Sequence, residues 1–185
     1  MRNLIFGINM TLDGCCDHTK GIADEEVHEF FTNLMRDVDL LVYGRKTYQL
    51  MVPFWPDVVK NRSASTKAMN EFAETFSAID KVVFSKTLES AEEKNTRIIR
   101  GNLKEEILKL KQQPGKNIST GGVELPEQLI ELGLVDEFYF VVQPLIVGEG
   151  RRLMNGTSLQ EKLQLRLVES KTFKSGCVAL HYVKQ

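Results

Sequence analysis

The 185-residue chain has only three cysteines, Cys15, Cys16 and Cys177. Their number is odd, two are adjacent, and no C-x-x-C spacing occurs. A disulfide framework and a cysteine-based zinc site are therefore not expected, and a reducing cytoplasm fits. The histidines, His18, His28 and His181, are scattered without ligand spacing, so no metal is expected either. No apolar run approaches the ~20 residues of a membrane-spanning helix. The opening MRNLIFGINM lacks a long apolar core and a clear cleavage site, and reads as a first strand rather than a signal peptide. A net charge of −1 offers no basic surface for nucleic acid or an anionic membrane. Repeats, linkers and low-complexity segments are missing, and the length suits one domain over residues 1–185. The glycine pattern G-x-G-x-x-G does not follow the first strand, which counts against a Rossmann dinucleotide fold.

What is present is an alternation of strands and helices. Arg2 to Met10 predicts a strand, and Asp24 to Arg36 a helix whose Val27, Phe30, Phe31, Leu34 and Met35 form one apolar stripe. Asp39 to Tyr43 predicts a second strand, followed by a short helix from Thr47 to Met51 and a loop from Val52 to Arg62 around Pro53 and Pro56. A helix from Ser63 to Ala78, a strand from Lys81 to Phe84 and a short strand from Thr96 to Ile99 come next. Asn102 caps a further helix, with Glu105 completing a capping box. Lys116 to Thr120 is a strand, Val123 to Leu132 a helix, and Asp136 to about Val147 a long apolar strand. After Arg152 a polar loop leads to two alternating segments, around Leu165 and Leu180, that form a closing β-hairpin at the sheet edge. The order implies an α/β fold with a mixed, mainly parallel sheet flanked by helices and ending in antiparallel strands.

Three places suggest chemistry. Gly121 and Gly122 join a strand to a helix, where a backbone without Cβ atoms and a helix N-terminus can meet a pyrophosphate. Gly44-Arg45-Lys46-Thr47 puts two cations at a strand end leading into a helix, a placement that opposes the helix dipole unless an anion is present. Ser85-Lys86 ends another strand and suits a phosphate or ribose. Asp13, before Gly14, is either a turn residue or a carboxylate at the end of the first strand, where open α/β sheets place ligands.

The ordered set TLDG, DLLVYGRKTY, VVFSKTL, the strand–GG–helix–GLVDE run, P-L-IVGEGRRL and SGCVALHY resembles one family along essentially the whole chain. It is the dihydrofolate-reductase-like superfamily, in its branch of riboflavin-biosynthesis reductases (RibD C-terminal domain), and in particular its small stand-alone bacterial members. The resemblance implies a dihydrofolate-reductase-like fold and an NADPH-dependent reductase. Arg45, Lys46 and Thr47 after Gly44 would hold the 2′-phosphate side of the cofactor, Ser85 and Lys86 would be a second adenosine-side contact, and Gly121 and Gly122 would lie against the pyrophosphate. On the substrate side the riboflavin branch implies Asp13 as the strand-end carboxylate. Dihydrofolate reductase proper carries an acid on its first helix; the matching position falls at His28, with Glu25 one turn earlier. Glu25 is thus the second catalytic candidate, and His28 and Gly150 are substrate-side candidates. The implied substrate is a ribosylaminopyrimidine. A pterin such as dihydrofolate is the alternative, and a nucleotide-binding protein without catalysis a third reading. The family further implies a homodimer through its late strands; apolar Phe138 to Val142 is consistent with that and equally with a central buried strand.

Overall fold

In β1 (Leu4–Thr11) Leu4, Phe6 and Ile8 face one side of the sheet and Ile5 the other, and all four are buried. Burial on both faces marks a central strand under two helical layers. The structure, a computed structural model, describes residues 1–91, 93–154 and 159–185. Part of the polar loop expected after Arg152 lies outside the described residues.

The elements that follow are α1 (Glu25–Met35), β2 (Val38–Gly44), α2 (Arg45–Asn61), α3 (Lys67–Ala78), β3 (Asp80–Phe84) and β4 (Thr96–Ile99). Then come α4 (Leu103–Gln112), β5 (Asn117–Thr120), α5 (Glu124–Glu131), β6 (Glu137–Gln143), β7 (Leu165–Thr172) and β8 (Val178–Lys184). Side chains start several helices: Asp24 accepts from the Val27 N–H, Thr66 from Met69, and Asn102 from Glu105. The strands form one sheet in the order β4-β3-β2-β5-β1-β6-β8-β7. Pairing is parallel from β4 through β6 and antiparallel at β6–β8 and β8–β7. This is the α/β, dihydrofolate-reductase-like sheet with the closing hairpin that the order of motifs predicts.

Two cores separate the layers. Phe6, Val42, Ile107, Ile118 and Leu129 pack with α4 and α5 on one face. Ile5, Tyr43, Tyr48, Phe72 and Phe76 pack with α1, α2 and α3 on the other. The chain leaves β1 through α1 on one face and leaves its neighbour β5 through α5 on the opposite face. Adjacent strands whose exits diverge in this way leave a crevice at their C-terminal ends.

Several element boundaries differ from expectation; the helix expected from Ser63 begins at Lys67, behind its Thr66 cap. Residues 52–61 are not a loop but the second half of α2, with Pro53 and Pro56 inside the helix. Tyr48, Val52 and Val58 are fully buried on one stripe, and Met51 and Trp55 pack beside them. Burial at about 1.5–3 kcal/mol per large apolar side chain outweighs about 3 kcal/mol for each internal proline. The strand expected to reach Val147 stops at Gln143, because Pro144 has no N–H for the ladder. The chain then bends, with Leu145 donating to the Gln143 carbonyl and accepting from the Leu12 N–H at 2.9 Å.

Candidate functional site

At the C-terminal ends of β2, β3 and β4 lies an open groove of about 500 Å³. Of the residues singled out in the sequence, Gly44, Arg45, Lys46, Ser85 and Lys86 all line it. Three helices start on its wall: α2 at Arg45, α4 at Leu103 and α5 at Glu124. The α4 start is filled by its own Asn102 side chain. Neither α2, preceded by Gly44, nor α5, preceded by Val123, has a side-chain cap. Their first turns therefore leave amides beside the groove with no side-chain acceptor, where an anion can supply one. Four cationic side chains, Arg45, Lys46, Lys86 and Arg100, face one carboxylate, Glu124.

These side chains are not equally free. Among the described residues the Arg45 side chain makes one hydrogen bond, to Gln49 Oε1 at 3.3 Å. Lys86 makes no ion pair or hydrogen bond among the described residues. Arg100 donates to the Leu88 carbonyl at 2.6 Å. The Ser85 hydroxyl oxygen accepts from the Thr87 and Leu88 N–H groups, forming the turn below the groove. Lys46 donates to Glu124 Oε1 at 2.7 Å, and Arg151 reaches the same oxygen at 2.9 Å. Lys46, expected to await a ligand anion, is thus engaged by an internal one. The two hydrogen bonds, that from Lys46 first, hold the Glu124 carboxyl below its usual range.

Gly121 and Gly122 follow β5 at the crevice beside β1. A Cβ on Gly121 would stand 3.4 Å from the Gly7 carbonyl oxygen. Gly122 has φ +84°, and a Cβ there would overlap Thr47 Oγ1. Thr47 therefore sits against the glycine turn rather than in the groove; Gly122 lets α2 approach the end of β5, and Gly121 lets that turn lie on β1 at Gly7.

Asp13 lies elsewhere, at the far side of β1. Its Oδ1 accepts from the Thr11 hydroxyl at 2.5 Å and the Val147 N–H at 3.3 Å. Its Oδ2 accepts from the Gly148 N–H at 2.8 Å and Arg152 Nη2 at 3.2 Å. The Thr11 and Gly148 bonds hold this carboxyl well below the usual carboxylate range. A carboxylate held in its charged form near neutral pH with both oxygens engaged anchors a loop and is a poor proton donor there. Gly150 belongs to the same construction. It has φ +93°, and a Cβ there would stand 2.6 Å from Cys15 Sγ, so only glycine lets the 144–152 segment lie on the Cys15–Arg152 bridge. Gly150 is therefore brought to Cys15 and Asp17, a packing role in place of the expected substrate contact.

The helix α1 candidates divide. Glu25 is exposed in the first turn and makes no hydrogen bond or ion pair among the described residues. His28 is half-buried between Trp55 and Phe72, with ring centroids 5.8 and 5.7 Å away. Burial there pushes its pKa down, so the ring is neutral at pH 7 and serves as packing between three helices. Among the described residues no cluster of three or more metal-ligating side chains occurs. No helix among them is long and apolar enough to cross a membrane.

Sequence reasoning missed Arg100, Gly101 and Gln128 in the groove, and Arg151 at its rim. Arg100-Gly101 stands at a strand end just as Ser85-Lys86 does, so the same rule applied to β4 finds it. It also missed Asn9, whose Oδ1 is buried without a partner on β1. No sequence pattern marks that orphaned acceptor.

Known proteins share this fold. The family model described as the RibD C-terminal domain matches residues 2–179. The chain is 33% identical over 185 residues to YyaP of Bacillus subtilis (strain 168), an uncharacterized protein, covering 98% of this chain and 94% of that one. Among solved structures, a putative riboflavin biosynthesis protein from Shewanella sp. PV-4 superposes with TM-score 0.75 at 20% identity, over 100% of this chain and 99% of that one. A Thermotoga maritima diaminohydroxyphosphoribosylaminopyrimidine deaminase/5-amino-6-(5-phosphoribosylamino)uracil reductase superposes with TM-score 0.69 at 14% identity, over 100% of this chain and 57% of that one. At these identities the structures speak for the fold, and the match of nearly the whole sequence to the family model speaks for descent. This chain belongs to the RibD C-terminal domain family.

Proposed function

We propose that the protein is an NADPH-dependent reductase that delivers hydride to a heterocyclic substrate, a ribosylaminopyrimidine resembling that of riboflavin biosynthesis. The observation that carries this reading is the groove at the ends of β2, β3 and β4, where two uncapped helix starts converge with four cations. A diphosphate has what such a surface lacks, namely negative charge and acceptor oxygens. The Gly121–Gly122 turn, packed on Gly7 and Thr47, would present backbone to a dinucleotide beside the crevice. Residues present therefore fit the cofactor. The amides at the starts of α2 and α5 would take the diphosphate, and Arg45, Lys86 and Arg100 the adenosine phosphate.

NADPH, when bound, supplies the hydride. The protein's own part is placement and exclusion. The Gly121–Gly122 turn, with Thr47 packed against it, would form part of the wall beside the crevice. Asp13 fixes the 144–152 segment over the ends of β1 and β6 through its four contacts. Hydride addition to a pterin or to a ribosylamino carbon alike takes up one proton, and Asp13 is held as an anion. Glu25 is the carboxyl left on α1 to pass that proton from solvent. The match of residues 2–179 to the family model favours the ribosylaminopyrimidine.

Titration with NADPH and, separately, NADH, followed by nicotinamide fluorescence, tests the reading. NADPH binds more tightly, and Arg45→Ala with Lys86→Ala together weaken it about tenfold or more while leaving NADH nearly unchanged. Binding of neither dinucleotide would sink the reductase assignment. Binding of NADPH without turnover on any pyrimidine or pterin would instead support a nucleotide-binding protein that lacks catalysis.

A further inference from the structure

Glu124 is the one carboxylate in the groove, and it occupies a defined position there. It is the first residue of α5, whose start has no side-chain cap. Its Oε1 receives both Lys46 Nζ at 2.7 Å and Arg151 Nη2 at 2.9 Å. Lys46 comes from the start of α2, and Arg151 from the segment that Arg152 and the amides of Val147 and Gly148 tie to Asp13. One carboxylate oxygen thus draws together two cations from separate segments, beside the starts of α2 and α5, as a phosphate oxygen would.

We infer that Glu124 is a specificity-determining residue of this site, an internal stand-in for the ligand's phosphate that an incoming diphosphate must displace from Lys46 and Arg151. The inference rests on the dinucleotide reading of the groove. It follows that the free protein keeps its cations ordered and neutralised, and that ligands compete with a tethered carboxylate. A group with one negative charge gains little by that exchange. A diphosphate with several charges and acceptor oxygens can satisfy Lys46, Arg151 and the two helix starts together. Displacement also frees Arg151 from Glu124, so the segment anchored by Asp13 is in direct ionic connection with the cofactor groove. Selection for a polyanion is therefore achieved by a competing contact as well as by attractive ones.

The test uses isothermal titration of the full-length protein with two probes, inorganic pyrophosphate and NADPH. Glu124→Gln keeps the shape and removes the charge. It is expected to tighten both probes about threefold to tenfold, the ratio set by releasing one or two exposed ion pairs. In a Lys46→Met/Arg151→Met background the same substitution is expected to gain almost nothing, because the cations it would liberate are gone. Unchanged or weaker binding by Glu124→Gln overturns the inference. So does an equal gain in both backgrounds, which would mean diffuse repulsion only. If pyrophosphate shows the cation-dependent gain while NADPH does not bind, the Glu124 inference stands and the dinucleotide reading falls. If NADPH binds and Glu124→Gln has no effect, the reverse holds. Binding of neither probe overturns both.

Discussion

Single residues carry opposite electrostatic consequences in this protein. Asp13 is ionised more readily in the folded chain than in the unfolded one, because the Thr11 hydroxyl and the Gly148 N–H bind its charged form. A depressed folded-state value gives stability that is complete above the unfolded carboxyl pKa of about 3.9 and is lost as pH falls below it. Asp13→Asn should therefore unfold at lower urea than the wild type at pH 7, with the gap closing as pH drops from about 5 toward 2. A constant gap over that range would mean that the charge of Asp13 is not what holds the 144–152 segment. For Lys81 it is the neutral form that folding favours, so its contribution also rises with pH, but in an alkaline window. It is 1% exposed, donates to the Ile79 carbonyl at 2.6 Å and the Ser77 carbonyl at 3.2 Å, and burial pushes its pKa down to about 8. Between about 8 and the unfolded value near 10.4, the unfolded chain binds more protons, so stability rises with pH. Relative to Lys81→Met, whose carbonyls keep the Asn95 amide, the wild type should gain roughly 2–3 kcal/mol between pH 7 and 10.5. Denaturant midpoints of both proteins across that range check this, and parallel curves would refute it.

At the scale of elements, α2 shows where local propensity loses. Pro53 and Pro56 break the helical hydrogen-bond pattern, and read locally they mark a loop. The stripe of Tyr48, Val52, Trp55 and Val58 keeps its helical spacing through them, and contact with α3 and β2 rewards that spacing. Pro53 is exposed, so Pro53→Ala restores a backbone donor without disturbing the core and should raise thermal stability by about 1–3 kcal/mol. A lower melting temperature would show that the proline shape itself is needed there. The α5 start makes the complementary point. Glu124 in a first helical turn has an ordinary explanation in the helix dipole, and its role as partner of Lys46 and Arg151 does not show in the local pattern.

For the molecule as a whole, the closing hairpin leaves β7 at the sheet edge. Leu167 and Val168 are 49% and 48% exposed there, at the register shift between β7 and β8. Exposed apolar side chains on an edge strand suit pairing with a second copy, and a bulge at that place limits unspecific strand addition. A homodimer is the expected state. Sedimentation velocity should give twice the monomer mass, and Leu167→Asp with Val168→Asp should shift it to monomer. A monomeric wild type at micromolar concentration would rule the dimer out.

The sequence alone determined the course of the chain. Apolar periods of 3.6 and 2, capping residues at Asp24 and Asn102, and the Gly-Gly turn are local physical constraints, so strands, helices and the strand-end cations were legible from neighbours in the chain. The motif order was legible too, and with it the family. Only the tertiary structure decided what those cations and carboxylates do. Lys46 and Glu124 are 78 residues apart, and Asp13 and Gly148 are 135 apart. Whether a charge meets a ligand, an internal partner or a loop amide depends on which strand ends the sheet order brings together. That order is set by how α1 and α5 cover opposite faces, a result of global packing that no local window of sequence contains.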